Sequence, residues 1–190
     1  MFAAEAAASE KRTAPWDRDF QQSDWPEFED APGWEEWYYQ NSELHYRNEV
    51  TGYACLTSMQ GSVIPHFFAT GRLALQQRTI SPHVILVEYL PDVKTLKDID
   101  PSLVELLLAQ SLLATVRTFA KIGFVYSDLN LTNTLLVPGT QLVCAVIIDL
   151  TESGIREDKS DEVWQQIVTC KDDASWMKKQ LEQTLGITFD

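Results

Sequence analysis

The chain has 190 residues, with 15 Lys+Arg against 28 Asp+Glu, 45% hydrophobic residues and 11% aromatics. This is enough for one sizeable core, alone or with a tail, and it excludes wholesale disorder, collagen and a disulfide-stapled miniprotein. A formal net charge of -13 argues against nucleic acid or an anionic membrane as partner, because phosphates repel it, and leaves a protein partner as the open class.

The charge is uneven. Residues 1–50 hold 12 acids and 4 bases, a net of -8, so the first quarter carries most of the excess. Solubility is the plain reading of such an excess, with a basic partner as the functional one. Cys55, Cys144 and Cys170 are far apart and form no CxxC. That pattern predicts reduced thiols and an intracellular, cytoplasmic protein rather than a zinc site or a disulfide framework. The opening residues MFAAEAAASEKR lack a basic stretch ahead of an apolar one, so no secretory signal is expected. The longest apolar region, Leu103 to Val125, contains Glu105, Gln110, Arg117 and Lys121. It reads as a buried amphipathic helix and not as a membrane span.

In chain order, residues 1–42 read as an acidic, poorly ordered tail, with Trp16, Trp25 and Trp34 spaced nine apart as anchors onto the domain. Ser42 is the expected N-cap of a helix carrying Leu44, Tyr46, Val50, Tyr53 and Leu56, closed by Gly61 and barred from continuing by Pro65. Val63 to Leu75 predicts one or two strands with a turn near Gly71. His83–Leu90 is a near-continuous, β-branched-rich run and predicts a buried strand. Ser102 with Glu105 makes a capping-box pattern for a long helix ending at Gly123. Phe124–Tyr126 and a polar loop follow. Thr134–Val137 and Leu142–Ile148 then flank Pro138-Gly139, a hairpin signature. Asp161–Val168 and Ala174–Leu185 predict two closing helices, with Trp164 and Trp176 as core anchors. His45, His66 and His83 fit no ligand pattern.

Two stretches carry chemistry. In Tyr126-Ser-Asp-Leu-Asn-Leu-Thr-Asn133, Asp128 and Asn133 stand five apart on a loop between the long helix and the hairpin. In Ile147-Ile-Asp-Leu150, Asp149 closes the hairpin's second strand, which returns it toward Asn133. A carboxylate facing a hydroxyl, with an Asn and a second carboxylate for Mg²⁺, is what phosphoryl transfer needs.

YSDLNLTN followed by IIDL resembles the catalytic loop and metal motif of protein kinases and their small-molecule kinase relatives, and the fungal protein-kinase-like proteins most closely. Arg47–Leu56 with Gln60–Pro65, His83–Leu90 and Asp161–Val168 add to the likeness, which spans residues 43–190. It implies an α+β fold: a reduced kinase with a partial N-lobe over 43–90 and a short helical C-lobe over 91–190. It further implies ATP and Mg²⁺ as cofactors, Asp128 as catalytic base, and Asn133 and Asp149 as metal ligands. Glu49 takes the place of the N-lobe helix glutamate that pairs with a strand lysine. Val87 takes that of the gatekeeper, Glu88 and Leu90 are hinge positions, and Leu135 is the floor under adenine.

The departures are equally specific. Tyr126 stands where the family has His, Asn130 where Ser/Thr kinases usually have Lys, and Leu150-Thr151 where Phe-Gly is usual. Residues 1–42 contain one glycine, Gly33, and the bases Lys11, Arg12 and Arg18, with no Gly-rich loop and no strand-like lysine segment. Glu49 therefore has no evident cationic partner. The expectation is a degenerate kinase-like phosphotransferase domain or, alternatively, an inactive pseudokinase that serves as an interaction module or a fragment of a longer kinase.

Overall fold

The computed structural model describes residues 2–12, 25–76, 78–137, 144–186 and 188–189. Five α-helices and seven short strands follow one another among them. They are α1 (Phe2–Lys11), α2 (Ala31–Cys55), β1 (Phe67–Arg72), β2 (His83–Val87), β3 (Lys94–Thr95), α3 (Leu106–Phe119), β4 (Phe124–Tyr126), β5 (Thr134–Val137), β6 (Cys144–Ile147), β7 (Ser153–Ile155), α4 (Asp161–Lys171) and α5 (Asp173–Leu185). Trp16 and the Pro138-Gly139 turn lie outside the described residues. Among the described residues no helix is long and apolar enough to cross a membrane.

The N-terminal third departs most from expectation. α2 starts at Asp30, whose carboxylate accepts the Gly33 N–H at 3.0 Å, with Pro32 in the first turn. Ser42 is mid-helix, and one helix crosses the 42/43 boundary. The early turns of α2 are held by contacts that no apolar period announces. Arg12 pairs with Glu36 at 2.9 Å and lies 3.6 Å over the Tyr39 ring. Trp34, Trp37 and Tyr38 pack on one another at 5.0–6.1 Å. α1 is docked on α2, and its Glu5 is 1% exposed. One Glu5 oxygen accepts the Thr79 N–H, the Thr79 hydroxyl and the Ile80 N–H, each at 2.9 Å, and the other pairs with Arg78. A buried carboxylate with that many donors is stable where an unpaired one is not.

β1 and β2 form an antiparallel pair, His83 facing Arg72 and Val87 facing Phe67. The expected burial of this strand is not what the structure shows. Val84, Leu86 and Val87 are 36%, 57% and 39% exposed, because the sheet has two strands and nothing among the described residues covers its outer face. His83 serves the junction with α2. It stacks on Tyr46 with centroids 3.6 Å apart, and its Nε2 lies 3.0 Å from Glu43 and 2.8 Å from Arg72.

The main core belongs to the second half. α3 buries Ala109, Leu112, Leu113, Val116 and Phe119, a helical stripe, against Met177 and Leu181 of α5, both fully buried. α3 starts three residues later than the capping-box pattern suggests. Asp100 accepts both the Ser102 N–H and its hydroxyl, which draws Pro101–Leu103 into a separate 3-10 turn. Gly123, at φ 83°, ends the helix through the left-handed conformation a C-cap needs. The expected hairpin is β5–β6, with Thr134 facing Ile147, and β3 adds to β5. β4 pairs with β7 across the intervening hairpin. The closing helices are α4 and α5. Trp164 of α4 is buried and donates its indole N–H to the Ala120 carbonyl at 3.1 Å. Trp176 is 47% exposed with Lys179 beside its ring, so it is not a core anchor.

Candidate functional site

The β4–β7 and β5–β6 pairings place two loops at one end of the hairpin: residues 127–133, and residues 148–152 that include the 3-10 turn Leu150–Glu152. The Ile148 N–H donates to the Asn133 carbonyl at 2.9 Å, so the two loops leave the sheet side by side.

Asn130 shapes the first loop. Its side-chain oxygen accepts the N–H groups of Thr132 and Asn133 at 2.8 and 3.1 Å. Its amide nitrogen donates to the Asp128 carbonyl and carboxylate at 3.0 and 3.1 Å, and its own carbonyl accepts the Thr134 hydroxyl. Asn side chains substitute for backbone partners in this way. Asp128 is exposed, with its second carboxylate oxygen 3.0 Å from the Asn133 amide nitrogen. That nitrogen also donates to the Tyr126 hydroxyl at 3.0 Å. Asn133 thus spends its nitrogen on the loop, and its side-chain oxygen has no hydrogen-bond donor among the described residues.

Tyr126 joins the two loops. Its ring is fully buried, and its one hydroxyl proton is shared between the Ile148 carbonyl at 2.9 Å and the Asp149 carbonyl. Burial raises the phenol's pKa, and the Asp149, Asp128 and Glu49 carboxylates add to the rise while the Asn133 hydrogen bond opposes it. The hydroxyl therefore stays protonated and remains a donor. The strand below is fixed from a distance, since the Asp173 carboxylate at the start of α5 accepts the Tyr126 N–H at 2.7 Å.

Asp149 adopts φ 62° and ψ 73°, a left-handed conformation that Asp tolerates better than most residues. One of its carboxylate oxygens is taken by the Thr151 hydroxyl at 2.6 Å. Leu150 is fully buried against Gly52 of α2, where a Cβ would lie 3.1 Å from the Leu150 Cβ. This close approach brings Glu49 onto the site. Burial and the Asp149 carboxylate lift the Glu49 pKa to about 7, and the Leu150 N–H opposes the rise. Its Oε2 is buried with no hydrogen-bond partner among the described residues. Among the described residues no ammonium or guanidinium contributes to its ionisation.

The other sequence-predicted positions do not converge as tightly. Val87 ends β2 and Leu135 lies half-buried on β5, in separate sheets. The Glu88 N–H is spent on the His66 carbonyl at 2.8 Å, and its carboxylate accepts the His66 N–H. The Leu90 N–H donates to no group among the described residues. The residues missed in sequence are Asn130 as organiser, Tyr126 as cross-link and Asp173 as support. Asp173 lies 47 residues from its partner, and no local pattern connects the two.

The donor set fits a hard divalent cation. The Asn133 oxygen is undonated, the Asp149 carboxylate keeps an oxygen beyond the one Thr151 takes, and both are ligand types that Mg²⁺ accepts together with water. Among the described residues no group of three or more His, Cys, Asp or Glu could hold a metal by itself. The fit to a triphosphate is poorer, since no Lys or Arg pairs with Asp128, Asn133, Asp149 or Glu49 among the described residues.

No family model matches the chain, and no curated protein matches it. Solved structures do. Rio2 kinase from Chaetomium thermophilum, in its ADP/Mg²⁺-phosphoaspartate complex, superposes with a TM-score of 0.55 at 18% identity over 78% of this chain. A second Rio2 kinase structure from the same organism gives 0.54 at 18% identity over 78%. The chain has a protein-kinase-like fold. It spans 41% and 42% of those two Rio2 chains. WaaP in complex with acyl carrier protein superposes at a TM-score of 0.43 and 16% identity, covering 75% of this chain and 77% of that one. The kinase-like α+β architecture rests on the two Rio2 superpositions.

In this kinase-like fold the Tyr126 hydroxyl ties the strand before the Asp128 loop to the backbone of Asp149. Tyr126→Phe is expected to leave the Ile148 and Asp149 carbonyls without their donor and to cost about 1–2 kcal/mol. Urea denaturation of the variant measures the loss.

Proposed function

We propose that this chain is a degenerate kinase-like domain of the ATP-dependent phosphotransferase superfamily, with a reduced N-lobe and a retained catalytic loop and metal site. The observation that carries the reading is the Asn133 amide. It is bonded to the Asp128 carboxylate and, through the Tyr126 hydroxyl, linked to the Asp149 backbone, while its oxygen is left for a cation. In this reading Asn133 and Asp149 hold Mg²⁺, which supplies charge neutralisation to the phosphates of ATP. Asp128 accepts a hydrogen bond from a substrate hydroxyl and orients it. Val87 and Leu135 flank the base, and the carbonyl of Glu88 and the N–H of Leu90 bond its edge. The free thiols Cys55, Cys144 and Cys170 suit a reducing, intracellular setting.

Glu49 supports the degenerate part of the reading. Phosphoryl transfer rests on positioning and charge stabilisation, and the cation that would hold both phosphates and Glu49 has no counterpart among the described residues. The second reading, a pseudokinase that acts by binding a protein, draws on the same orphaned carboxylate and on the exposed sheet.

A melting experiment tests nucleotide binding. Ligand at about ten times its Kd stabilises the native state by about 1.4 kcal/mol, or roughly 3–6 °C for a chain of this size. MgATP is expected to produce such a shift, EDTA to reverse it, and Asp149→Asn to abolish it while leaving the unliganded melting temperature near that of the wild type. No shift at millimolar MgATP, or an equal shift in the variant, contradicts the metal assignment.

A further inference from the structure

The β1–β2 sheet is incomplete on physical grounds. Two strands alone are marginal in water, and β2 pairs with β1 only, so its other edge carries backbone groups unpaired over His83–Val87 among the described residues. Natural edges are protected by lysine, proline, bulges or cover. This edge contains no Lys, Pro, Asp or Glu, and its one titratable group, His83, is already held by Glu43 and Arg72. The neighbouring surface is apolar, with Phe68 67% and Leu86 57% exposed.

The same sheet faces a buried carboxyl oxygen without a donor among the described residues. Tyr46 of α2 stacks on His83 at one end of the sheet, and Tyr53 packs 5.3 Å from Phe67 at the other. Glu49 lies between these contacts on the same face of α2, one turn from each, with its buried Oε2 lacking any hydrogen-bond donor among the described residues. A bare strand edge is completed by a strand, and a buried carboxylate oxygen is completed by a donor, best a cationic one.

We propose that the free edge of β2 is a docking site for an extended segment of a partner protein, which pairs as a third strand and delivers a Lys or Arg side chain to Glu49. A chain with net charge -13 favours a basic occupant. A second copy fits less well. β2 has no Lys or Arg to offer, so a β2–β2 dimer completes the edge and leaves Glu49 as it is. The inference stands on the sheet edge and Glu49 alone, whether or not nucleotide binds.

The probes are a blocked peptide of about ten residues, alternating Thr and Val around one central Lys, and its twin with norleucine at that position. The Lys peptide is expected to slow amide exchange across residues 83–87 and to bind at least about tenfold more tightly than its twin. Glu49→Gln is expected to erase that preference while the twin binds as before. Equal affinity of the two peptides for the wild type, or exchange at residues 83–87 unchanged by either, overturns the proposal. So does a concentration-dependent dimer that protects residues 83–87 without peptide.

Discussion

Leu150→Ala is expected to cost about 2–5 kcal/mol, the usual range for truncating a fully buried leucine. Leu150 has no exposed surface, and it packs where α2 comes closest to the 3-10 turn, against Gly52. Deleting its side chain opens a cavity that the rigid backbone on either side cannot easily close. The consequence reaches the site, because the residue before it is Asp149, in a left-handed conformation, and the helix behind it carries Glu49. Urea denaturation gives the stability loss. The same variant, studied below its midpoint, is expected to lose any MgATP-induced melting shift. A cost below 1 kcal/mol would mean that α2 is not anchored through this residue.

Glu49→Gln is expected to act in the opposite direction. The Glu49 carboxyl has its pKa raised to about 7 from an ordinary 4.5. Below pH 4.5 it is protonated in both folded and unfolded chains and costs nothing. Between pH 4.5 and 7 the unfolded chain ionises first, so folding stability falls as pH rises, and the whole cost is present above pH 7. Because the group retains some access to solvent, the cost is about 1–2 kcal/mol rather than the full linkage value. Glutamine keeps an acceptor for the Leu150 N–H and removes the charge. The variant is therefore expected to be more stable than the wild type by about 1 kcal/mol at pH 8 in EDTA, with the gain shrinking toward pH 5. A variant less stable than the wild type at pH 8 would show that a cation already neutralises Glu49.

What could be read from the sequence, and what could not, follows the range of the interactions. Asp128, Asn133 and Asp149 are brought to one end of a hairpin whose strands were legible as two apolar runs around Pro138-Gly139. The kinase-like α+β architecture is what the family resemblance of those motifs implies. The expected start at Ser42 differs from the observed one because Asp30, twelve residues upstream, caps α2, and the expected start at Ser102 differs because Asp100 draws Pro101–Leu103 into a separate 3-10 turn, so that α3 begins later. β2 is more exposed than its apolar run predicts, because such a run reports what a strand suits. Exposure depends on neighbouring strands, and none among the described residues covers its outer face. Tyr126 looked like a departure from the expected histidine, yet its hydroxyl reaches the backbone of Asp149 across 23 residues. Glu5 with Thr79, and Asp173 with Tyr126, join residues 74 and 47 positions apart. Contacts of that range leave no periodic trace.

The central claim is that Asn133 and Asp149 form one divalent-cation site in front of Asp128. Amide NMR with Mn²⁺ as a paramagnetic stand-in for Mg²⁺, with ADP present, tests it most directly. The account predicts broadening centred on residues 128–133 and 149–151, displaced by excess Mg²⁺ and absent in Asp149→Asn. Broadening spread evenly over the acidic surface, or unchanged by that substitution, would contradict it.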